Sequence, residues 1–100
     1  MDWKRPENKA LIQVLLSLKN AQEAQHFLRD LMTEREIGEF AKRLRAAELL
    51  ASGVSYSDIE DQTGLSSTTV ARVSKWLKGK EGGYRTVLHR LHTKRKDSKV

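Results

Sequence analysis

Apolar residues recur at steps of three and four along almost the whole chain, which is the spacing of one face of an α-helix. A first such segment covers residues 7–17, and Pro6 stands just ahead of it, where the fixed φ of proline suits a first helical turn. Asn20 is placed to cap a second helix. The stripe predicted to face inward on this helix consists of Ala24, Phe27, Leu28 and Leu31.

A third and longer helix is predicted from Thr33, because Glu36 follows three residues later and the two residue types form a reciprocal capping pair. Gly53 is expected to end this helix in the left-handed conformation that glycine tolerates. Glu39 and Arg43 are predicted to form an i,i+4 ion pair on its wet face. The predicted buried stripe consists of Ile37, Phe40, Ala41, Leu44, Ala47 and Ala51.

The pattern over about residues 56–78 predicts a helix-turn-helix, which is two short helices joined by a turn that contains glycine. Gly64 stands at the turn, where a Cβ would be strained. The apolar residues predicted to hold the two helices together are Ile59, Leu65, Val70 and Val73.

The end of the chain predicts one more short helix, which carries Val87, Leu88 and Leu91. Residues 94–100 contain four positive charges against one negative charge and no apolar face, so residues 93–100 are predicted to form a disordered basic tail. Six helices and no alternating strand pattern indicate an all-α protein with one helical domain over residues 1–92.

The amino-acid composition limits the classes of function that this chain can have. The 19 lysines and arginines exceed the 13 acidic residues by six, and the pI of about 9.8 points to a polyanionic partner. The absence of cysteine excludes a disulfide scaffold, a thiolate metal site and a cysteine nucleophile. No apolar run is long enough to cross a bilayer, so a cytoplasmic protein that does not associate with membranes is predicted. No cofactor-binding motif is present.

The second helix of the predicted helix-turn-helix has the chemistry of a DNA-reading helix. It opens with small hydroxyl side chains, which let a backbone approach a groove and donate to phosphates. Residues 65–80 include Arg72, Lys75, Lys78 and Lys80 and no acid. The competing interpretation is an ordinary helical hairpin with a solvated basic face.

A family resemblance supports the DNA-binding interpretation. The run AKRLRAAELLASGVSYSDIEDQTGLSSTTVARVSKWLK, with the following GKEGGY, resembles the Trp-repressor superfamily. The similarity covers roughly residues 10–91 and is closer to the YerC/YecD-like branch than to the tryptophan-responsive repressors. The resemblance implies an intertwined homodimer whose recognition helices enter successive major grooves.

Carried over from this family, the DNA-binding residues lie on the second helix of the helix-turn-helix. Ser67, Thr68 and Ala71 would face the bases, with Thr69 and Arg72 beside them. Hydroxyls and alanine are weak base readers, so water and DNA shape are expected to contribute to recognition. The complete predicted set is Ser66, Ser67, Thr68, Thr69, Ala71, Arg72, Lys75 and Lys78.

The effector pocket is where this sequence departs from the tryptophan-responsive relatives, in which two arginines and a serine hold the ligand. The corresponding residues are Lys42, Arg72 and Trp76, and a lysine cannot stack flat on an indole. The sequence suggests that Trp76 partly fills the pocket, so that free tryptophan is not the effector. The alternative is that Trp76 is a packing residue at the end of a helix.

No catalytic or metal site is predicted. His89 and His92 are spaced to share a metal ion, but they lack a third ligand nearby. The sequence therefore predicts a sequence-specific DNA-binding transcriptional regulator, of repressor type, that acts as a homodimer on double-stranded DNA with an unknown effector. The alternatives are a helical protein-interaction module that docks on the transcription machinery without reading DNA, and a protein that binds structured RNA.

Overall fold

The computed structural model of the chain describes the backbone of residues 1–98 and the side chains of residues 1–93. The described residues form six helices and no strand, which confirms the all-α prediction. The helices are α1 (Pro6–Ser17), α2 (Ala21–Leu31), α3 (Glu34–Ala51), α4 (Tyr56–Thr63), α5 (Ser67–Lys78) and α6 (Gly83–Ser98). The described residues group into two compact units, one of residues 1–37 and one that begins at residue 38. No helix among the described residues is long and apolar enough to cross a membrane.

The predicted helix caps of the first unit are present. The Asn20 side chain accepts a hydrogen bond from the Glu23 N–H at 2.9 Å and so begins α2. At the start of α3 the Glu36 N–H donates to Thr33 Oγ1 at 3.1 Å, while the Thr33 N–H donates to Glu36 Oε1 at 3.0 Å. This reciprocal pair satisfies two backbone donors that the first turn of a helix leaves without partners.

The apolar stripes of α1 and α2 are not enclosed within the chain. Neither helix contains a buried residue. Leu31 of the stripe predicted to face inward is 51% exposed, and Leu16 of α1 is 81% exposed. The prediction that the α2 stripe is buried is therefore wrong for a single chain, since the first unit contains too few helices to enclose it.

The core of the second unit is small and centres on α3, α4 and α5. Ile59, Val70 and Val73 are its largest fully buried side chains. Four further apolar residues are buried around them: Ala46, Ala47, Leu49 and Leu65. The four residues predicted to hold the helix-turn-helix together are thus all buried.

The buried side of α3 differs from the predicted stripe. Of the six residues in that stripe only Ala47 is buried, while Phe40 is 46% exposed. The prediction extended one helical face from the start of α3 to its end. In the structure the end of the helix packs into the core of the second unit through Ala47 and through two residues outside the predicted stripe, Ala46 and Leu49.

The last helix is longer than the sequence predicts. The backbone of α6 is helical as far as Ser98, whereas a disordered tail is predicted from residue 93. Lysine and arginine have high helix propensity, and positive charge is favourable near the C-terminal end of a helix. The helical backbone thus continues into the first part of the predicted tail, and residues 99–100 lie outside the described part of the chain.

The capping pair also lowers the pKa of Glu36. Hydrogen bonds donated to the Glu36 carboxylate by the Thr33 backbone N–H and by the Thr33 side chain hold the pKa of Glu36 below its ordinary value of 4.5. The ionised carboxylate therefore contributes to stability above that pH, and its contribution is lost as the pH falls through the lowered pKa.

We expect the substitution Thr33→Ala to lower the free energy of unfolding by about 1 kcal/mol at neutral pH, because α3 loses its side-chain cap. Urea denaturation at a fixed protein concentration measures this change. Thr86→Ala is the matched control, since Thr86 is exposed on α6 and caps no helix. Equal stabilities for the two variants would contradict the assignment of the cap.

Candidate nucleic-acid interface

The turn between α4 and α5 is held by glycine and by a buried threonine. Gly64 ends α4 with a φ of 75°, in the left-handed region that favours glycine. The Thr63 hydroxyl donates to the Ile59 carbonyl at 2.7 Å and accepts from the Leu65 N–H at 3.2 Å. The predicted turn is confirmed at Gly64, whereas the role of Thr63 was not evident from the sequence.

The core determines which side of α5 faces outward. Val70, Val73 and Ser74 of α5 are buried, so the opposite side of the helix is presented to solvent. The predicted DNA-binding residues on this exposed face are Ser67, Thr68, Ala71, Arg72 and Lys75. Lys78 is also exposed, at the end of the helix.

Two other residues of the predicted set are engaged with each other at the start of α5. Ser66 Oγ accepts from the Thr69 N–H at 3.2 Å, and its hydroxyl donates to Thr69 Oγ1 at 3.0 Å. Thr69 is half-buried. The two hydroxyls therefore cap the helix and orient its first turn, while the neighbouring Ser67 and Thr68 remain open to solvent.

The exposed face of α5 is positively charged. No acidic group lies within ion-pair distance of Arg72, Lys75 or Lys78 among the residues that the structure describes. No acidic residue occurs in α5 itself. These cations are thus available to neutralise a polyanion.

The side chain of Arg43 does not have the partner that the sequence predicts. Glu39 pairs with Lys42 at 3.9 Å, and the expected pair between Glu39 and Arg43 is absent among the described residues. The Arg43 guanidinium carbon lies 5.4 Å from the centre of the Phe40 ring and 5.8 Å from that of Trp76. Both distances are within the range of cation–π attraction. The sequence could have suggested the contact with Phe40, which lies three residues earlier on the same helix, but not the contact with Trp76, which lies on another helix.

The residues predicted for an effector pocket are not all in one place. Trp76 is 47% exposed and lines an apolar groove of about 660 Å³ on the second unit, together with Leu44, Tyr84 and Val87. Neither Lys42 nor Arg72 lines this groove. The structure therefore brings Trp76 together with Arg43 rather than with Lys42, and the predicted pocket stays a prediction.

Arg85 of α6 also has a role that the sequence did not suggest. In the structure its Nη1 donates to the Leu77 carbonyl at 2.5 Å, near the C-terminal end of α5. This hydrogen bond connects α6 to the last turn of α5.

The two histidines of α6 have no arrangement typical of a metal site. His89 and His92 are both exposed, and no group of three or more potential ligands is found among the described residues.

Comparison with known proteins matches residues 7–92 to the family described as Trp repressor protein. The chain belongs to this family. The Bacillus subtilis (strain 168) protein YerC is 38% identical over 81 residues, which cover 81% of this chain and 78% of YerC. These findings confirm the resemblance to the Trp-repressor superfamily and its YerC-like branch.

Solved structures agree with this assignment. A TrpR-like protein from Eubacterium eligens ATCC 27750 is 36% identical and superimposes with a TM-score of 0.84 over 90% of this chain and 93% of that chain. A Staphylococcus aureus structure is 29% identical, also with a TM-score of 0.84, over 92% of this chain and 95% of that one. The Trp repressor family is one of DNA-binding transcription regulators with a helix-turn-helix, and it is not a family of enzymes.

We expect Gly64→Ala to destabilise the helix-turn-helix by about 1–2 kcal/mol, because an L-residue resists the left-handed conformation. A Cβ at Gly64 would meet no atom within 4 Å, so the effect comes from the backbone alone. Gly38→Ala is the control, since Gly38 lies in α3 with ordinary φ and equally open space. Thermal or urea unfolding measures both, and a neutral Gly64→Ala would contradict this account of the turn.

Proposed function

We propose that this chain is a sequence-specific transcriptional regulator, of repressor type, that binds double-stranded DNA as a homodimer and inserts α5 into the major groove. The observation that carries the proposal is the exposed face of α5, which is polar, basic and free of acids, on a helix whose other face is buried. Membership of the Trp repressor family supports the same conclusion.

The side chains on α5 suit close approach to base edges. The major groove is about 12 Å wide and admits an α-helix. Ser67, Thr68 and Ala71 are small, so the helix can lie deep in the groove, and Arg72 can reach a guanine edge or a phosphate. Hydroxyl groups discriminate bases weakly, so bridging waters and DNA shape contribute to the choice of sequence.

The apolar side chains that one chain leaves exposed support the proposed homodimer. Leu11, Val14 and Leu15 of α1 are each about 40% exposed, and together with Ile12 and Leu16 they form an apolar surface on a short helix. Contiguous apolar surface of this kind is typical of protein interfaces. Two joined chains would also present two recognition helices, which gives a specificity that one helix with weak base readers lacks.

The most direct experiment recovers sheared genomic DNA with the purified protein at about 0.15 M salt and sequences it. We expect a shared palindromic motif whose half-sites lie about one helical turn apart. The motif should be lost with Arg72→Ala and kept with Arg90→Ala, a variant that removes the same charge from the exposed surface of α6. Uniform recovery of DNA without a motif would contradict sequence-specific regulation and favour a protein-interaction module.

We also propose that free tryptophan is not the effector. Trp76 stands where tryptophan-responsive relatives have a serine, its ring is already contacted by Arg43, and Lys42 pairs with Glu39. Calorimetric titration of the protein with tryptophan should show no saturable binding at sub-millimolar affinity. Saturable binding in that range would overturn this part of the proposal.

A further inference from the structure

Two arginines from different helices converge on the last turn of α5. Arg43 of α3 places its guanidinium over the ring of Trp76. Arg85 of α6 donates to the carbonyl of Leu77, the next residue along α5. Side chains from α3 and α6 thus contact two adjacent residues at the end of the recognition helix.

The contact from Arg85 has the geometry of a helix cap. The last four carbonyls of a helix lack partners within it, and the partial negative charge there favours a cation. The guanidinium lies close to Gly82, where an added Cβ would be 3.0 Å from Arg85 Nη2. Gly82 therefore leaves the room that this side chain occupies.

The contact from Arg43 depends on aromatic rings alone. Its Nε is buried without a hydrogen-bond partner, and Arg43 has no ion pair within the described part of the chain. The guanidinium lies near Phe40, one turn earlier on α3, as well as near Trp76. A cation held in this way links α3 to α5 without neutralising a carboxylate.

The contacts from Arg43 and Arg85 lie at the end of α5, beyond the residues of this helix that are buried in the core. The buried residues of α5 are Val70, Val73 and Ser74, whereas Lys75, Trp76 and Lys78 after them are exposed. The core therefore fixes the first two turns of α5, and the arginines restrain its last turn.

We propose that Arg43 and Arg85 are positioning residues for DNA recognition. They hold α5 at the angle needed to read base edges, and they do not act by neutralising phosphates. The inference rests on the proposed function of α5 and adds to it the residues that set its orientation. Phosphate contacts survive small changes of angle better than base contacts do, because base readout requires matched donor and acceptor positions.

The test compares binding to the selected genomic motif with binding to a scrambled duplex of the same length, over a series of salt concentrations. The variants are Arg43→Ala and Arg85→Ala, and their matched controls are Arg35→Ala and Arg90→Ala, which remove exposed arginines from the same two helices. Lys78→Ala serves as the comparison for loss of a phosphate contact, which lowers the salt slope by about 0.9 for each contact.

We expect Arg43→Ala and Arg85→Ala to lose about tenfold in the ratio of specific to scrambled binding, an effect comparable to one mismatched base pair. Their salt slopes should equal that of the unmodified protein. Arg85→Lys should restore much of the ratio, because an ammonium can also donate to the Leu77 carbonyl, whereas Arg43→Lys should not, because it lacks a planar group to stack.

Folding is checked separately, by helical circular dichroism and by Trp76 fluorescence in a Trp3→Phe background, where Trp76 is the one remaining tryptophan. If an alanine variant does not fold, Trp76→Phe and Arg85→Lys provide the decisive comparison. An unchanged binding ratio, or a loss accompanied by a lower salt slope, would overturn the positioning role while leaving the proposed function intact. Absence of any preferred sequence for the unmodified protein would overturn both.

Discussion

Burial of a few medium-sized apolar side chains is the constraint on which the presentation of α5 depends. Ile59, Val70 and Val73 are fully buried, and they hold α4 and α5 together across the turn at Gly64. Since Val70 and Val73 occupy one side of α5, the hydroxyl and basic residues must face outward. The same packing therefore accounts for both the stability of this unit and the chemistry of its exposed face.

What the chain leaves unburied is as informative as its core. None of the apolar residues of α1 and α2 is fully buried, and Trp76 and Val87 line an open apolar groove. Each apolar side chain removed from water contributes about 1.5–3 kcal/mol to stability, so burial of this exposed surface in an interface would be strongly favourable. The proposed homodimer would bury this surface and would also pair two recognition helices.

Local features were predictable from the sequence, and features that depend on distant residues were not. The caps at Asn20 and Thr33 and the left-handed Gly64 follow from short-range chemistry, and the structure confirms them. The buried side of α3 could not be predicted, because it depends on which helices pack against it. The same holds for Arg43, whose partner Trp76 is distant in the sequence, and for Arg85, whose partner Leu77 lies in another helix. A charge-based interpretation assigned Arg43 to a neighbouring acid, whereas two aromatic rings hold it.

The central claim is that the outward face of α5 contacts DNA, and amide chemical-shift mapping on the isotope-labelled protein tests it most directly. On addition of a duplex that carries the selected motif, the largest shift changes should fall on residues 66–75, with little change in α1. If the largest changes instead fall on α1 or around the groove at Leu44 and Val87, with residues 66–75 unaffected, α5 is not the DNA-reading element and the account is contradicted.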